Sequence, residues 1–135
     1  MRILAIDYGE ARTGLCVSDL TGTLAGEAWV IQEWNAEALA RKIAEEAKAR
    51  EVGRLVLGLP RNMDGSEGPR AEKSRALKAL LEQAGAPEVV LWDERRSSIE
   101  AHNILHAAGK KEKKHRQNVD AVAASIILES YLGSL

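Results

Sequence analysis

The sequence predicts an α/β fold: a mixed five-stranded sheet, with three antiparallel strands first and parallel crossovers after, flanked by helices. Three observations predict it. The first 31 residues hold three strand-like stretches separated by short turns. Two later apolar runs of strand length, RLVLGL (54–59) and EVVLW (88–92), alternate with helical stretches. Apolar residues make up 45% of the 135, enough for one substantial core, and the length suits one domain rather than two.

Residues 2–7 (RILAID) alternate and place Ile3, Ala5 and Asp7 on one side of a strand. YGEAR signals a turn, and residues 12–18 (RTGLCVS) return as the second arm of a hairpin. A third strand is expected over 24–31, after Thr21-Gly22-Thr23. Leu39, Ile43 and Ala47, four apart within 36–50, mark an amphipathic helix. RLVLGL is too short for a helix and reads as a buried strand. The Pro/Gly/Asn/Asp-rich loop 60–69 then leads into a helix that Gly85 and Pro87 stop after about Gln83. EVVLW is the last strand. Ser97 and Glu100 form a capping box that opens a helix ending near Gly109, and Asn118 caps a final helix to about Leu132.

No apolar run approaches the length of a membrane span, and MRILAIDYG enters a strand without the longer apolar stretch of a signal peptide. The lone Cys16 excludes an internal disulfide framework and fits a reducing compartment. A cytoplasmic domain is expected. The net charge of −1 gives no global reason to bind nucleic acid. Locally, however, residues 110–116 read KKEKKHR, and Arg95 and Arg96 form a second basic cluster.

Acids occur where an apolar pattern expects none. Asp7 ends an apolar strand two residues before Gly9, which allows a turn or the close approach of a ligand phosphate. Asp93 and Glu94 close the strand EVVLW, and alternation sends them to opposite faces, so at most one serves a site above the sheet. Asp120 lies within about a quarter-turn of Ala123, Ala124, Ile127 and Tyr131 on the last helix. An ionised carboxylate on that face costs several kcal/mol. The helix N-terminus offsets only about 0.3–1 kcal/mol, whereas a divalent cation offsets far more. Oxygen-only ligands suit Mg²⁺ or Mn²⁺. Zinc has little support from Cys16, His102, His106 and His115, and no Gly-x-Ser-x-Gly points to a serine hydrolase.

DYGEARTGLCVSD (7–19), GLPRNMDGSEGPRAE (58–72), DERRSS (93–98) and NVDAVAASIILESYL (118–132) together resemble the YqgF/RuvX-like family, named for Holliday junction resolvases and pre-16S rRNA nucleases. The four blocks span nearly the whole chain. The resemblance implies a ribonuclease H-like fold, and the order of elements is the one such domains use. It implies metal-binding, catalytic acids at Asp7, Glu94 and Asp120, with Asp93 in reserve. It also implies a phosphate site from backbone amides near residues 66–70, including Ser66, with Arg70 and the turn at Gly9. Arg12, Arg95, Lys110, Lys111, Lys113, Lys114 and Arg116 would contact the nucleic-acid backbone. The chain departs from the family pattern at Ala11, where a basic residue is usual, and at Arg96, where an apolar one is usual.

The function expected is metal-dependent phosphodiester hydrolysis by two Mg²⁺ or Mn²⁺ ions, acting on structured RNA in 5′-end maturation of pre-16S rRNA, on precursor ribosomal particles. Alternatives are resolution of branched DNA, which calls for a homodimer rather than a monomer, and a non-catalytic nucleic-acid-binding module. An actin-like ATP-binding fold would need a second lobe for which this chain has no room.

Overall fold

The computed structural model describes residues 1–96 and 119–135, with Val119 and Asp120 described by backbone alone. Strands β1 (Arg2–Asp7), β2 (Arg12–Ser18) and β3 (Ala25–Gln32) lead into helix α1 (Ala36–Ala49). Strand β4 (Val52–Leu59), helix α2 (Pro69–Gln83) and strand β5 (Glu88–Asp93) follow, and helix α3 (Val119–Gly133) is the last element. The strands form one sheet in the order β3-β2-β1-β4-β5. β1 pairs antiparallel with β2 and parallel with β4; β2–β3 is antiparallel and β4–β5 parallel. This is the mixed sheet expected, with helical crossovers joining its parallel strands.

β1 occupies the centre, so it is covered on both faces and four of its six residues are buried. Alternation divides its side chains between two cores. Leu4 and Ile6 join Leu15, Leu55, Leu57 and residues of α1 and α2, whereas Ile3 and Ala5 join Cys16, Val56 and α3. The helices behave as their patterns require. Asn35 caps α1 by accepting from the Ala38 amide at 2.9 Å, and Leu39, Ala40, Ile43 and Ala47 face inward. Pro69 opens α2 at a position where its missing N–H costs nothing, and Gly85, at φ +84°, follows its end. In α3 the stripe Ala124, Ile127, Leu128 and Tyr131 lies on the sheet, while Val122 and Ala123 are half-buried.

Small shifts separate expectation from structure. β3 runs one residue later than expected, and β4 begins two earlier because Val52 pairs with Arg2 of the central strand. The expected helix from Ser97 to Gly109, the basic loop 110–116 and the Asn118 cap lie outside the described residues. Among the described residues no helix is long and apolar enough to cross a membrane.

Candidate active site

The carboxyl ends of the parallel strands β1, β4 and β5 lie side by side, and there the acids gather. Asp7 closes β1 on the α3 face, continuing the row of Ile3 and Ala5. Its antiparallel partner is Gly14, and continuing the β1–β4 register by one residue from the Ile6–Leu57 pair places Gly58 on its other side. Two glycines therefore flank Asp7 where side chains would otherwise crowd it.

Glu94 follows the end of β5 in a single turn of 3-10 helix (Glu94–Arg96) and folds back over β4. A Cβ built on Gly58 would stand 2.6 Å from Glu94 Oε1, 3.1 Å from Glu94 Cγ and 2.9 Å from Ile127 Cδ1. The space vacated at Gly58 is thus filled by the Glu94 side chain and the flank of α3. The carboxyl groups of Glu94 and Asp7 lie within hydrogen-bonding reach of each other. Burial pushes the Glu94 carboxyl above its ordinary range, and the charge of Asp93 adds to this. Hydrogen bonding with Asp7 pulls the other way, as does the Arg70 guanidinium.

Asp93 takes the opposite course. It continues the row of Val89 and Leu91, whose side chains meet the α1–α2 core, and both its oxygens bind Arg95. Arg95 holds it below the usual carboxylate range, foremost through that hydrogen bond. The alternation expected for the two acids is therefore present, and it is Glu94 that shares Asp7's face.

Asp120 stands in the first turn of α3, four residues before Ala124 on the helix that covers this face. Its side chain lies outside the described residues, as do Lys110, Lys111, Lys113, Lys114 and Arg116. Among the described residues no group of three His, Cys, Asp or Glu side chains gathers. The donor set in place is a pair of carboxylates. Two carboxyl groups so close cannot both ionise without a compensating positive charge. Oxygen donors over a cleared floor suit a hard divalent cation, so the residues fit the metal their chemistry implies.

The other expected contacts are distributed as follows. Arg70 is exposed in the first turn of α2, whose N-terminus no side chain caps, and its charge acts on Glu94. Ser66 donates both its amide and its hydroxyl to Asp64 Oδ1, at 2.9 and 2.6 Å, which folds loop 60–68 on itself. Arg95, expected on a phosphate, grips Asp93 and lies 3.5 Å from where a Cβ would stand on Gly65. Arg12 is exposed at the start of β2. Gly9 has a reason of its own: any side chain there would meet the Arg12 carbonyl oxygen across the hairpin. Sequence reasoning missed Gly14 and Gly58. A glycine inside the apolar run RLVLGL was the available signal, since it often marks a close approach.

A family model described as "RuvX: Holliday junction resolvase" matches residues 1–134. The chain belongs to the RuvX family. A RuvX relative from Halothermothrix orenii is 42% identical over 133 residues, covering 98% of this chain and 94% of the relative. One from Anaeromyxobacter dehalogenans is 45% identical, covering 98% and 96%. Both bear the name "Putative pre-16S rRNA nuclease". Among solved structures, Thermus thermophilus RuvC in complex with a Holliday junction superposes with a TM-score of 0.63 at 13% identity, covering 99% of this chain and 96% of that one. The Fowlpox virus resolvase in its junction complex gives 0.58 at 14% identity, covering 99% and 98%. At such identities the likeness shows the fold alone, and that fold is the ribonuclease H-like one expected for RuvX.

Proposed function

We propose that this chain is a metal-dependent nuclease, built as a single ribonuclease H-like domain, that acts in the cytoplasm on pre-16S rRNA during 5′-end maturation. The observation that carries the reading is the Asp7–Glu94 carboxyl pair seated over Gly58, in a chain whose relatives bear the nuclease name.

Asp7, Glu94 and Asp120 would hold Mg²⁺ or Mn²⁺. The chemistry such cations would supply is activation of water and stabilisation of the leaving oxygen. The protein's own residues do the rest. Asp7 sits at the end of the central strand, the least deformable part of the sheet, and so fixes the origin of the site. Glu94, held against α3, orients its carboxylate over the floor left by Gly58. Arg70 and the uncapped amino end of α2 present positive charge to a phosphate of the strand being cut. Arg12 and the 110–116 loop would extend that hold along the backbone, a salt-sensitive and sequence-independent contribution. Strand alternation turns Asp93 to the other face, where Arg95 holds it ionised, and leaves Glu94 as the acid that faces Asp7.

A second reading, cleavage of branched DNA by a homodimer, is favoured by the description of the family model. One experiment separates the two. Labelled 16S precursor RNA and a four-way DNA junction are each incubated with protein and Mg²⁺, Mn²⁺ or EDTA, beside the Asp7→Asn variant. Metal-dependent cutting of the RNA is expected, slowed by about three orders of magnitude in the variant, in keeping with the several kcal/mol a positioned metal contributes. Cutting of the junction alone moves the assignment to the second reading. Equal cutting by Asp7→Asn removes Asp7 from the site.

A further inference from the structure

On the α1–α2 side of the sheet, beside the end of β1, a groove of about 380 Å³ is lined by Tyr8, Glu10, Trp34, Ala36, Lys73 and Leu77. Trp34 is 80% exposed, an unusual position for the largest apolar side chain. The residues around it keep it there. The Glu33 amide donates to the Ala11 carbonyl at 3.0 Å, which ties the Trp34 segment to the β1–β2 hairpin. Asn35 is fixed on its other side as the cap of α1. Across the groove Lys73 Nζ meets Glu10 Oε1 at 2.9 Å, and Tyr8 is anchored against the main core. The backbone on either side of Trp34 is thus tied down while its indole stays exposed.

We propose that Trp34, with Tyr8 and Lys73, forms a stacking site for an unpaired base of the single-stranded nucleic acid whose neighbouring phosphate reaches Asp7 and Glu94. The inference rests on the nuclease reading above and adds a substrate feature to it, an unpaired stretch beside the cut. The groove and the acids lie on opposite faces of the sheet but at the same end of β1, and that nearness favours this occupant. Tyr8 directly follows Asp7, and Lys73 lies three residues after Arg70, on the same face of α2. Arg70 acts on Glu94 at one end of that face, and Lys73 lines the groove at the other. The chemistry agrees: the indole face suits a base, and Lys73, held on the rim by Glu10, is the cation its phosphate would take over. A protein partner would call for a broader apolar ring around the anchor than Glu10, Glu33, Asn35 and Lys73 supply.

The test uses the full chain carrying Asp7→Asn, so that RNA survives, and a fluorescein-labelled 12-nucleotide single-stranded RNA beside a blunt duplex of the same sequence. Binding is followed by anisotropy and by quenching of tryptophan emission. Adding Trp34→Ala is expected to weaken single-strand binding about tenfold or more, within the range for loss of one stacked base. Most of the quenching should vanish, with duplex affinity and the salt dependence of binding unchanged. Trp34→Phe should restore most of the affinity. Equal single-strand affinity with and without Trp34, in proteins of equal melting temperature, overturns the proposal and leaves the exposed indole to a protein partner. Equal loss on single strand and duplex overturns it too. Absence of binding to any RNA by the parent protein sinks the nuclease reading itself, and this site with it.

Discussion

The two faces of the sheet are built to different standards. On the α1–α2 face the central strands present Leu4, Ile6, Leu15, Leu55 and Leu57, which interlock with Leu39, Ile43, Leu77 and Leu81. On the α3 face the same strands present Ile3, Ala5, Cys16 and Val56, and α3 brings Ala124 among its larger residues. Towards the carboxyl end of β1 this face thins further, to Gly14 and Gly58 around Asp7. Large branched side chains hold the fold together. Small ones let a helix lie close and then leave room for carboxyl groups. Stability and chemistry are thus assigned to opposite sides of one sheet, and substitutions on the two sides should fail in different ways.

The largest loss of stability is expected on the first face. Leu55→Ala deletes a fully buried side chain and should cost about 2–5 kcal/mol in urea denaturation, while folded protein keeps its cleavage rate. A cost below about 1 kcal/mol would mean that the two faces are not so different. Gly58→Ala should invert the pattern. The methyl group meets the movable ends of Glu94 and Ile127, so it should cost only about 1 kcal/mol, at the low end for overpacking. By displacing Glu94 it should slow cleavage by about a hundredfold, the scale for a 1 Å misplacement. Wild-type activity in Gly58→Ala would show that Glu94 is not needed where it stands.

A smaller effect comes from a carboxylate treated in the opposite way to Glu94. Asp19, in the β2–β3 turn, accepts from the Thr21 hydroxyl and from the Thr23 and Leu24 amides, and its pKa is lowered from 3.8 to about 2, the Thr21 bond being the largest cause. The folded state thus binds this proton more weakly than the unfolded chain. The stabilisation is present above the unfolded value and disappears as pH falls from about 4 to about 2. The melting temperature of Asp19→Asn should lie below wild type at pH 6, with the gap closing by pH 2; a constant gap would contradict the hydrogen-bond account. Smallest of all should be the response of Cys16 to thiol reagents. Its thiol is pushed up to about 11, mainly by burial and further by the charge of Glu129. At pH 8 about one thiol in a thousand is ionised, so labelling should follow global unfolding. Rapid labelling of native protein would show that α3 lifts from the sheet.

Much of this contrast was legible in the residues themselves. Alternation in RILAID placed Asp7 with Ile3 and Ala5, and alternation at the end of EVVLW separated Asp93 from Glu94, because both follow from the two-residue period of a strand. The α3 stripe carrying Ala124, Ile127 and Tyr131 was legible from helical geometry, with Asp120 one turn before it. The loop at Ser66 was not. Its amide was expected to face a phosphate, whereas a short-range turn to Asp64 takes that amide and the hydroxyl with it. Arg95, which the resemblance places on the nucleic-acid backbone, also grips the carboxylate of Asp93 two residues before it. Both depend on local loop geometry, which periodicity does not encode.

By itself the sequence determined the type and order of the described elements, the alternation within each strand and the family, since these depend on neighbours along the chain. The tertiary structure decided that Glu94, the acid the resemblance named ahead of Asp93, meets Asp7, that Gly14 and Gly58 clear the floor beneath them, and that α3 covers this face. Those outcomes depend on the β1–β4 and β4–β5 registers and on the face against which each helix packs. They are long-range pairings, set by which buried surfaces fit one another and carried by no short stretch of the chain.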